Sequence, residues 1–173
     1  MSREPLNVAT RISLVAGVLA AVTASQVAPG AAASAGASAA PARASMAAAP
    51  SAATIYEDRL LARVNGARAH RGIRPLGRSS CAQRAADNWA LWMVSKNRLV
   101  HQPLRPLLAH CGASRAGENI AYGNKTADQL FAMWMASPGH RANILSASYT
   151  RMGNGIIRRA DGRVYGSQVF LRQ

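Results

Sequence analysis

The bulky side chains of this chain are confined to its second part. All three Trp, four Tyr, two Phe, two Cys and four His of the 173 residues lie from Ile55 onward. Up to Pro50 the sequence is mainly Ala with Ser, Pro, Gly and Val, and its single acid is Glu4. Because a hydrophobic core needs bulky apolar groups, the sequence predicts one folded domain at residues 55–173.

The first residues have the order of a secretory signal. Arg3 and Arg11 precede an uncharged apolar run at 12–24, which is shorter than the roughly 20 residues of a membrane span. Sites with small residues follow, so we assign 1–33 to a signal peptide whose cleavage position stays open. An uncleaved signal anchor is the alternative. Residues 34–54 lack periodicity and bulk, which predicts a flexible Ala/Ser/Pro spacer. The predicted location is therefore extracellular, in solution or at the envelope.

The charge is strongly positive. The chain has 21 Lys and Arg against 7 Asp and Glu, a formal net charge of +14, and only Lys96 and Lys125 are lysines. The arginines are scattered, so either an anion-binding surface or the codon usage of a GC-rich genome explains them. Both explanations predict a weak attraction to anionic surfaces. Neither indicates a specific nucleic-acid partner.

The two cysteines, Cys81 and Cys111, both lie in the predicted domain. An even number of cysteines in an exported chain favours one disulfide bond. No C-x-x-C spacing is present, which argues against a metal site built on thiolates.

The spacing of apolar residues predicts helices first and a β-hairpin last. The first helix covers about 56–70, and the second begins at Ser80, with Gln83 completing a capping box, and ends near Asn97. A second capping box, Thr126 with Gln129, opens a helix to residue 136, and Pro138 begins a short helix after it. Strands at 152–157 and 164–171 are joined by an Asp-Gly turn. The pattern predicts an α+β domain.

Two expectations concern the remaining parts of this domain. Residues 101–123 contain Pro103, Pro106 and several glycines, so we predict mostly loop there, with a turn of helix around Leu107. The indoles of Trp89, Trp92 and Trp134 lie at helical positions and are predicted to belong to the core.

Three polar residues are candidates for chemistry. Glu118 stands in a small and apolar stretch of a chain with few acids, so its carboxylate is expected to point inward toward a partner. His140 lies just inside a predicted helix, and His101 lies shortly after the second helix.

The sequence segments around these residues resemble the CAP superfamily of cysteine-rich secretory, antigen 5 and pathogenesis-related 1 proteins, and most of all its compact bacterial branch. The resemblance covers about 56–170. It includes Asn65 and Arg68 in the first helix, His101, Gly-Glu-Asn-Ile at 117–120, Ser-Pro-Gly-His-Arg-x-Asn-Ile-Leu at 137–145 and Gly-Ser-Gln-Val-Phe at 166–170. It implies a three-layer α-β-α sandwich with a central antiparallel sheet, and a polar cleft in which two His and two Glu surround a divalent cation.

Carried over to this chain, the family's first His is His101 and its Gly-Glu-Asn glutamate is Glu118. The second Glu is replaced by Ser137 and the second His by Tyr165, so the eukaryotic set is incomplete. His140 belongs to the bacterial string and can reach the cleft from another backbone position. The resemblance implies these cleft or ligand-contacting residues: His101, Glu118, Asn119, Ser137, His140, Tyr165 and Gln168.

Two roles for the cluster stay open. His101, Glu118 and His140 could supply three ligands to Zn²⁺ and leave a position for water. Alternatively, Glu118 accepts hydrogen bonds from His140 or from backbone N–H groups and pins the long loop.

We expect a monomeric, non-catalytic binding module for a cell-envelope component, a lipid or a protein partner. A hydrolase of peptide or wall polymer that uses the His/Glu cleft is the alternative. A third hypothesis is an adhesin that binds the envelope through its arginines.

Overall fold

The structure, a computed structural model, describes residues 49–173. The predicted signal peptide and the predicted spacer up to residue 48 lie outside these residues. The elements, in chain order, are α1 Ala52–Ala69, β1 Gly77–Arg78, α2 Ser80–Lys96, α3 Arg105–His110, β2 Arg115–Gly123, α4 Ala127–Ala136, α5 Pro138–Leu145, β3 Arg151–Arg158 and β4 Val164–Arg172.

The four strands form one sheet in the order β1-β3-β4-β2. β3 and β4 are the predicted antiparallel hairpin, and β2 pairs antiparallel with β4. Helix α2 packs on one face of the sheet, and α1, α4 and α5 pack on the other. The α+β class and the three-layer arrangement are therefore confirmed. The sheet is mixed rather than purely antiparallel, because the two residues of β1 run parallel to β3.

Within the segment 101–123, α3 contains the predicted helical turn around Leu107, but the nine-residue strand β2 stands where the sequence indicated loop. Residues 117–121 of β2 are all buried, because helices cover both faces of the sheet. A strand covered on both faces lacks the polar–apolar alternation by which strands are recognised. The glycines within it were the misleading signal.

The predicted starts of the first two helices also differ from the structure. α1 begins at Ala52 and is capped by Ser51, whose Oγ accepts a hydrogen bond from the Thr54 N–H. The cap of α2 is Ser79 rather than Ser80, so the Ser80–Gln83 box is wrong. The Gln83 amide instead pairs with the backbone of Asn154, donating to its C=O at 2.6 Å and accepting from its N–H at 3.1 Å. The capping box of Thr126 is confirmed.

The face of α2 that meets the sheet is made of small residues. Ala82, Ala86 and Ala90 are fully buried against β3, where Gly153 and Gly155 have no side chain. A Cβ atom at either glycine would overlap the α2 backbone. The small residues, rather than the indoles, therefore occupy the face of α2 that meets the sheet. As a result Trp89 and Trp92 are only partly buried, while Trp134 is in the core as predicted.

Two covalent or polar links fix the helices around the sheet. The predicted disulfide joins Cys81 in the first turn of α2 to Cys111 at the end of α3. Arg68 in α1 is fully buried, and its guanidinium donates to the carbonyl oxygens of Ile144 and Ser146 at 2.8 Å and of Arg74 at 2.9 Å. Burial lowers the pKa of Arg68. The side chain therefore has a structural role in tying α1 to the end of α5.

A carboxylate pair between α1 and α2 makes the stability depend on pH. The Gln83 amide donates to both Glu57 and Asp87. Burial and the charge of Asp87 raise the pKa of Glu57 from 4.5 to about 7. Between these two values the folded protein binds a proton that the unfolded chain has released, so stability is full below pH 4.5 and falls as the pH rises to 7. Glu57 is only half-buried, so solvent screening leaves an effect of about 1 kcal/mol.

We therefore expect Glu57→Gln to raise the free energy of unfolding by about 1 kcal/mol at about pH 8 and to leave it unchanged at about pH 4. Urea unfolding at the two pH values measures both quantities. Asp58→Asn is the control, because Asp58 is an exposed acid on the same helix. A pH dependence in Glu57→Gln equal to that of the wild type would contradict the assignment.

Candidate functional site

The buried carboxylate of Glu118 has four hydrogen-bond partners. Its Oε1 accepts from the Gln102 side-chain amide at 2.7 Å and from the Ser167 hydroxyl at 2.8 Å. Its Oε2 accepts from the Gln102 backbone N–H at 3.1 Å and lies 2.8 Å from Nδ1 of His101. The side chain of Glu118 is 0% exposed. Gln102 and Ser167 supply three donors to the two oxygens, which is the pattern of an ionised carboxylate, and His101 takes the fourth position, so no acceptor site is free toward solvent.

His101 is the exposed member of this cluster. Its side chain is 58% exposed, although its Nδ1 lies against the buried carboxylate. An ionised carboxylate only accepts, so Nδ1 of His101 must carry the proton in this contact. Nε2 of the neutral ring is then an acceptor. Glu118 thus fixes both the plane and the tautomer of an imidazole at the surface.

The chain positions these groups from three separate segments. His101 and Gln102 follow α2, and the indole N–H of Trp89 donates to the Val100 carbonyl at 2.8 Å, which holds this segment against the helix. Ser167 comes from β4, where it lies opposite Ile120 in the register. It therefore shares with Glu118 the face of the sheet that packs on α2.

His140 lies in α5, beside the free edge of β2. Its carbonyl oxygen accepts from the Asn119 amide at 3.2 Å. Its Nδ1 is buried and has no hydrogen-bond partner within residues 49–173. Burial and, secondly, the charge of His101 lower the pKa of His140. His140 is therefore held neutral near His101, but it donates nothing to Glu118.

Two other candidates, Asn119 and Gln168, lie on the opposite face of the sheet from the Glu118 side chain. Successive strand residues point to opposite faces, so Glu118 and Asn119 cannot line the same surface. Asn119, Gln168 and Asn154 are in register on three adjacent strands. Asn119 donates to Gln168, and Gln168 donates to Asn154, both at 3.0 Å. This buried amide row joins the strands and is structural.

Ser137 and Tyr165 do not contact Glu118 either. Ser137 lies between α4 and α5, and its side chain makes no capping hydrogen bond. Tyr165 is 3% exposed, and its hydroxyl donates to the Asn97 side chain at 3.0 Å. Its ring packs at 4.6 Å from that of Tyr122. At the positions of the family's second Glu and second His, this chain therefore has no group that reaches the carboxylate.

The sequence did not single out three residues that complete the site. Gln102 and Ser167 supply three of the four donors to Glu118. Asn143 donates from α5 to the Glu118 carbonyl and to the Asn119 side chain, both at 3.0 Å. Gln102 lies next to His101, and Asn143 and Ser167 lie within the segments that carry the resemblance, but the contact of Ser167 with Glu118 depends on strand register.

The predicted three-ligand metal site does not fit this geometry. Both oxygens of Glu118 are used by hydrogen-bond donors, one of which is the proposed ligand His101. Among residues 49–173, no group of three or more His, Cys, Asp and Glu is arranged to hold a metal ion. Within this part of the chain, the carboxylate of Glu118 contacts His101 directly.

No helix within residues 49–173 is long and apolar enough to span a bilayer.

Known proteins are similar to this chain in sequence and in fold. The sequence profile of the cysteine-rich secretory protein family, CAP, matches residues 61–170. The uncharacterized protein YkwD of Bacillus subtilis is 34% identical over 116 residues, which cover 63% of this chain and 45% of that protein. This chain thus spans less than half the length of that relative.

Two solved structures have the same fold. One is an extracellular protein containing an SCP domain from Bacillus anthracis, with a TM-score of 0.62, 22% identity and coverage of 68% of this chain and 40% of that one. The other is a cysteine-rich secretory protein from Staphylococcus aureus, with a TM-score of 0.60, 26% identity and coverage of 69% and 38%. With its matching profile and its sandwich fold, this chain belongs to the cysteine-rich secretory protein (CAP) family.

Proposed function

We propose that this chain is exported and that its CAP domain is a monomeric, non-catalytic module that binds a cell-envelope component at His101. The signal-like order of residues 1–33 supports export, as do the disulfide and the extracellular and secretory relatives. The net charge of +14 favours an anionic component such as peptidoglycan or an acidic lipid surface.

The proposal of binding without turnover rests on the burial and the hydrogen bonds of the Glu118 carboxylate. A general base or a metal ligand needs a carboxylate oxygen that can reach substrate or cation. Glu118 has both oxygens occupied and a side chain that is 0% exposed. Its function is then to present His101, whose Nε2 accepts a hydrogen bond from a ligand hydroxyl or amide.

A hydrolase is the second candidate, because one observation favours it. The Nδ1 of His101 is held by a carboxylate while the other edge of the ring faces solvent. In this arrangement an imidazole can act as a general base toward water. The hydroxyl of Ser167 offers no nucleophile, since it is buried and donates to Glu118.

We expect His101→Ala to weaken binding to insoluble peptidoglycan about tenfold, the effect of one hydrogen bond to an oriented ring. Co-sedimentation of the purified protein measures it, and the thermal unfolding midpoint shows that the fold is retained. His70→Ala is the matched control, because His70 is an exposed histidine at the end of α1. Its binding should equal that of the wild type.

The same experiment separates the candidates. Binding that His101→Ala leaves intact would refute the proposed site. Release of soluble wall fragments by the wild type, absent in His101→Ala, would establish the hydrolase instead. A third outcome concerns the overall positive charge. If replacing exposed arginines one at a time weakens binding equally at each position, and if added salt abolishes binding, the protein attaches through its net charge.

A further inference from the structure

A groove of about 390 Å³ lies between α2 and α3, outside the His101 surface. Its wall on the α2 side includes two indoles and two polar side chains, and its wall on the α3 side includes Leu107 and His110. The lining residues are Cys81, Arg84, Ala85, Asn88, Trp89, Trp92, Gln102, Leu107 and His110.

The two indoles form a rigid aromatic wall. The rings of Trp89 and Trp92 stack with centroids 4.5 Å apart and planes within 8° of parallel. Trp89 is further fixed by its N–H bond to the Val100 carbonyl. The Trp92 N–H has no hydrogen-bond partner within residues 49–173, and both rings are partly exposed. A preformed, partly solvated aromatic surface of this kind is typical of a ligand platform.

The groove is also positively charged. Arg84 lies beside the indoles, and within the part of the chain that the structure describes its guanidinium forms no ion pair or hydrogen bond. No acid is among the lining residues, whereas several other arginines pair with Asp58, Asp128 or Asp161. A planar, unpaired guanidinium is suited to bidentate binding of a carboxylate.

Amide side chains complete the polar lining. Asn88 offers both donor and acceptor atoms, as sugar hydroxyls require, whereas the Gln102 amide N–H is already bonded to Glu118. The polarised C–H face of a pyranose ring packs favourably on the negative face of an indole. An acyl chain would use the indoles but would leave Arg84 and Asn88 without partners.

We infer that this groove binds a carboxylate-bearing sugar chain, with a pyranose ring on the indole wall and its carboxylate on Arg84. The inference rests on the proposed function and names the ligand class of the binding module. Gln102 connects the two surfaces, because it lines the groove and donates twice to Glu118. A sugar chain in the groove therefore lies next to the cluster that holds His101.

The disulfide holds the α3 wall of the groove in place. Cys81 is itself a lining residue, and its bond to Cys111 holds α3 against the first turn of α2. Leu107 and His110 are thereby kept opposite the indoles, so the groove is formed before the ligand arrives. Such preorganisation favours affinity for a small, rigid ligand.

Calorimetric titration of the oxidised protein with trigalacturonate, at low ionic strength, tests the inference. We expect saturable binding that Arg84→Gln and Trp92→Leu each weaken about tenfold, since one charged pair or one stacked ring is lost. The matched control is Arg74→Gln, which removes the same charge from an exposed position outside the groove and should change affinity less than about twofold. The neutral trisaccharide of galactose should bind about tenfold more weakly.

Absence of saturable binding overturns the inference, as does equal weakening by Arg84→Gln and Arg74→Gln. Binding of palmitate or of an oligothymidylate that depends on Trp92, with no binding of trigalacturonate, would assign the groove to a lipid or a nucleic acid. These results are separate from the test of the proposed function, whose failure appears as peptidoglycan binding indifferent to His101→Ala.

Discussion

Gly155→Ala is expected to lower the free energy of unfolding by about 3 kcal/mol, although the same change usually favours a strand. The reason is the close approach of α2 to β3. A Cβ atom at Gly155 would overlap the backbone of Ala86 and Asp87, and a helix backbone cannot rotate away as a side chain can. The helix would have to move off the sheet, which would loosen the packing around Ala82 and Ala90.

Gly66→Ala is the matched control, because it makes the same chemical change on α1 where no atom lies within 4 Å of the added methyl group. Alanine is the better helix former, so we expect a gain of about 0.5–1 kcal/mol there. Chemical denaturation of both variants measures the difference. A stability loss below about 1 kcal/mol in Gly155→Ala would show that α2 is not packed so closely on the sheet.

Glu118→Gln is expected to lower the free energy of unfolding by about 3 kcal/mol and to weaken peptidoglycan binding as much as His101→Ala does. A glutamine can keep only one acceptor oxygen, and its amide group would point N–H donors at two of the four donors now bound. The shape of the side chain is unchanged, so the effect reports the lost hydrogen bonds. Urea unfolding and co-sedimentation of the same preparation measure the two quantities.

Two further variants calibrate this result. Ser167→Ala removes one of the four donors and should cost about 1 kcal/mol. His101→Ala should lower the free energy of unfolding by less than about 1 kcal/mol, since that side chain is mostly exposed. It should nevertheless weaken peptidoglycan binding as much as Glu118→Gln does. A Glu118→Gln protein as stable as the wild type would contradict the fully bonded carboxylate. A destabilised Glu118→Gln protein that still binds normally would show that Glu118 does not position His101.

Features with a local cause were predictable from the sequence. The capping box of Thr126 and the hairpin around Asp161 and Gly162 depend on residues within a few positions of one another. The disulfide between Cys81 and Cys111 needed no distance information, because only two cysteines were available. The inward direction of Glu118 also followed from an isolated acid in an apolar stretch, and it is buried in the structure.

Features that depend on packing or register were not predictable. β2 lies between two layers of helices, so its sequence shows no alternation and was interpreted as loop. The close packing of α2 on the sheet depends on Gly153 and Gly155, which lie some 70 residues after Ala82 and Ala86, the residues that they approach. Asn119 and Gln168 were assigned to the cleft from the family resemblance, whereas the pleat of the strand turns them to the other face. Only the register places Ser167 beside Glu118.

The tautomer of His101 tests most directly the claim that Glu118 is committed to holding this imidazole. Nitrogen-15 NMR of the histidine side chains, in the purified protein at alkaline pH where the ring is neutral, shows which nitrogen carries the proton. The geometry predicts a protonated Nδ1 and a bare Nε2 for His101, because its Nδ1 lies 2.8 Å from a carboxylate that can only accept. A His101 ring protonated at Nε2 would contradict the account.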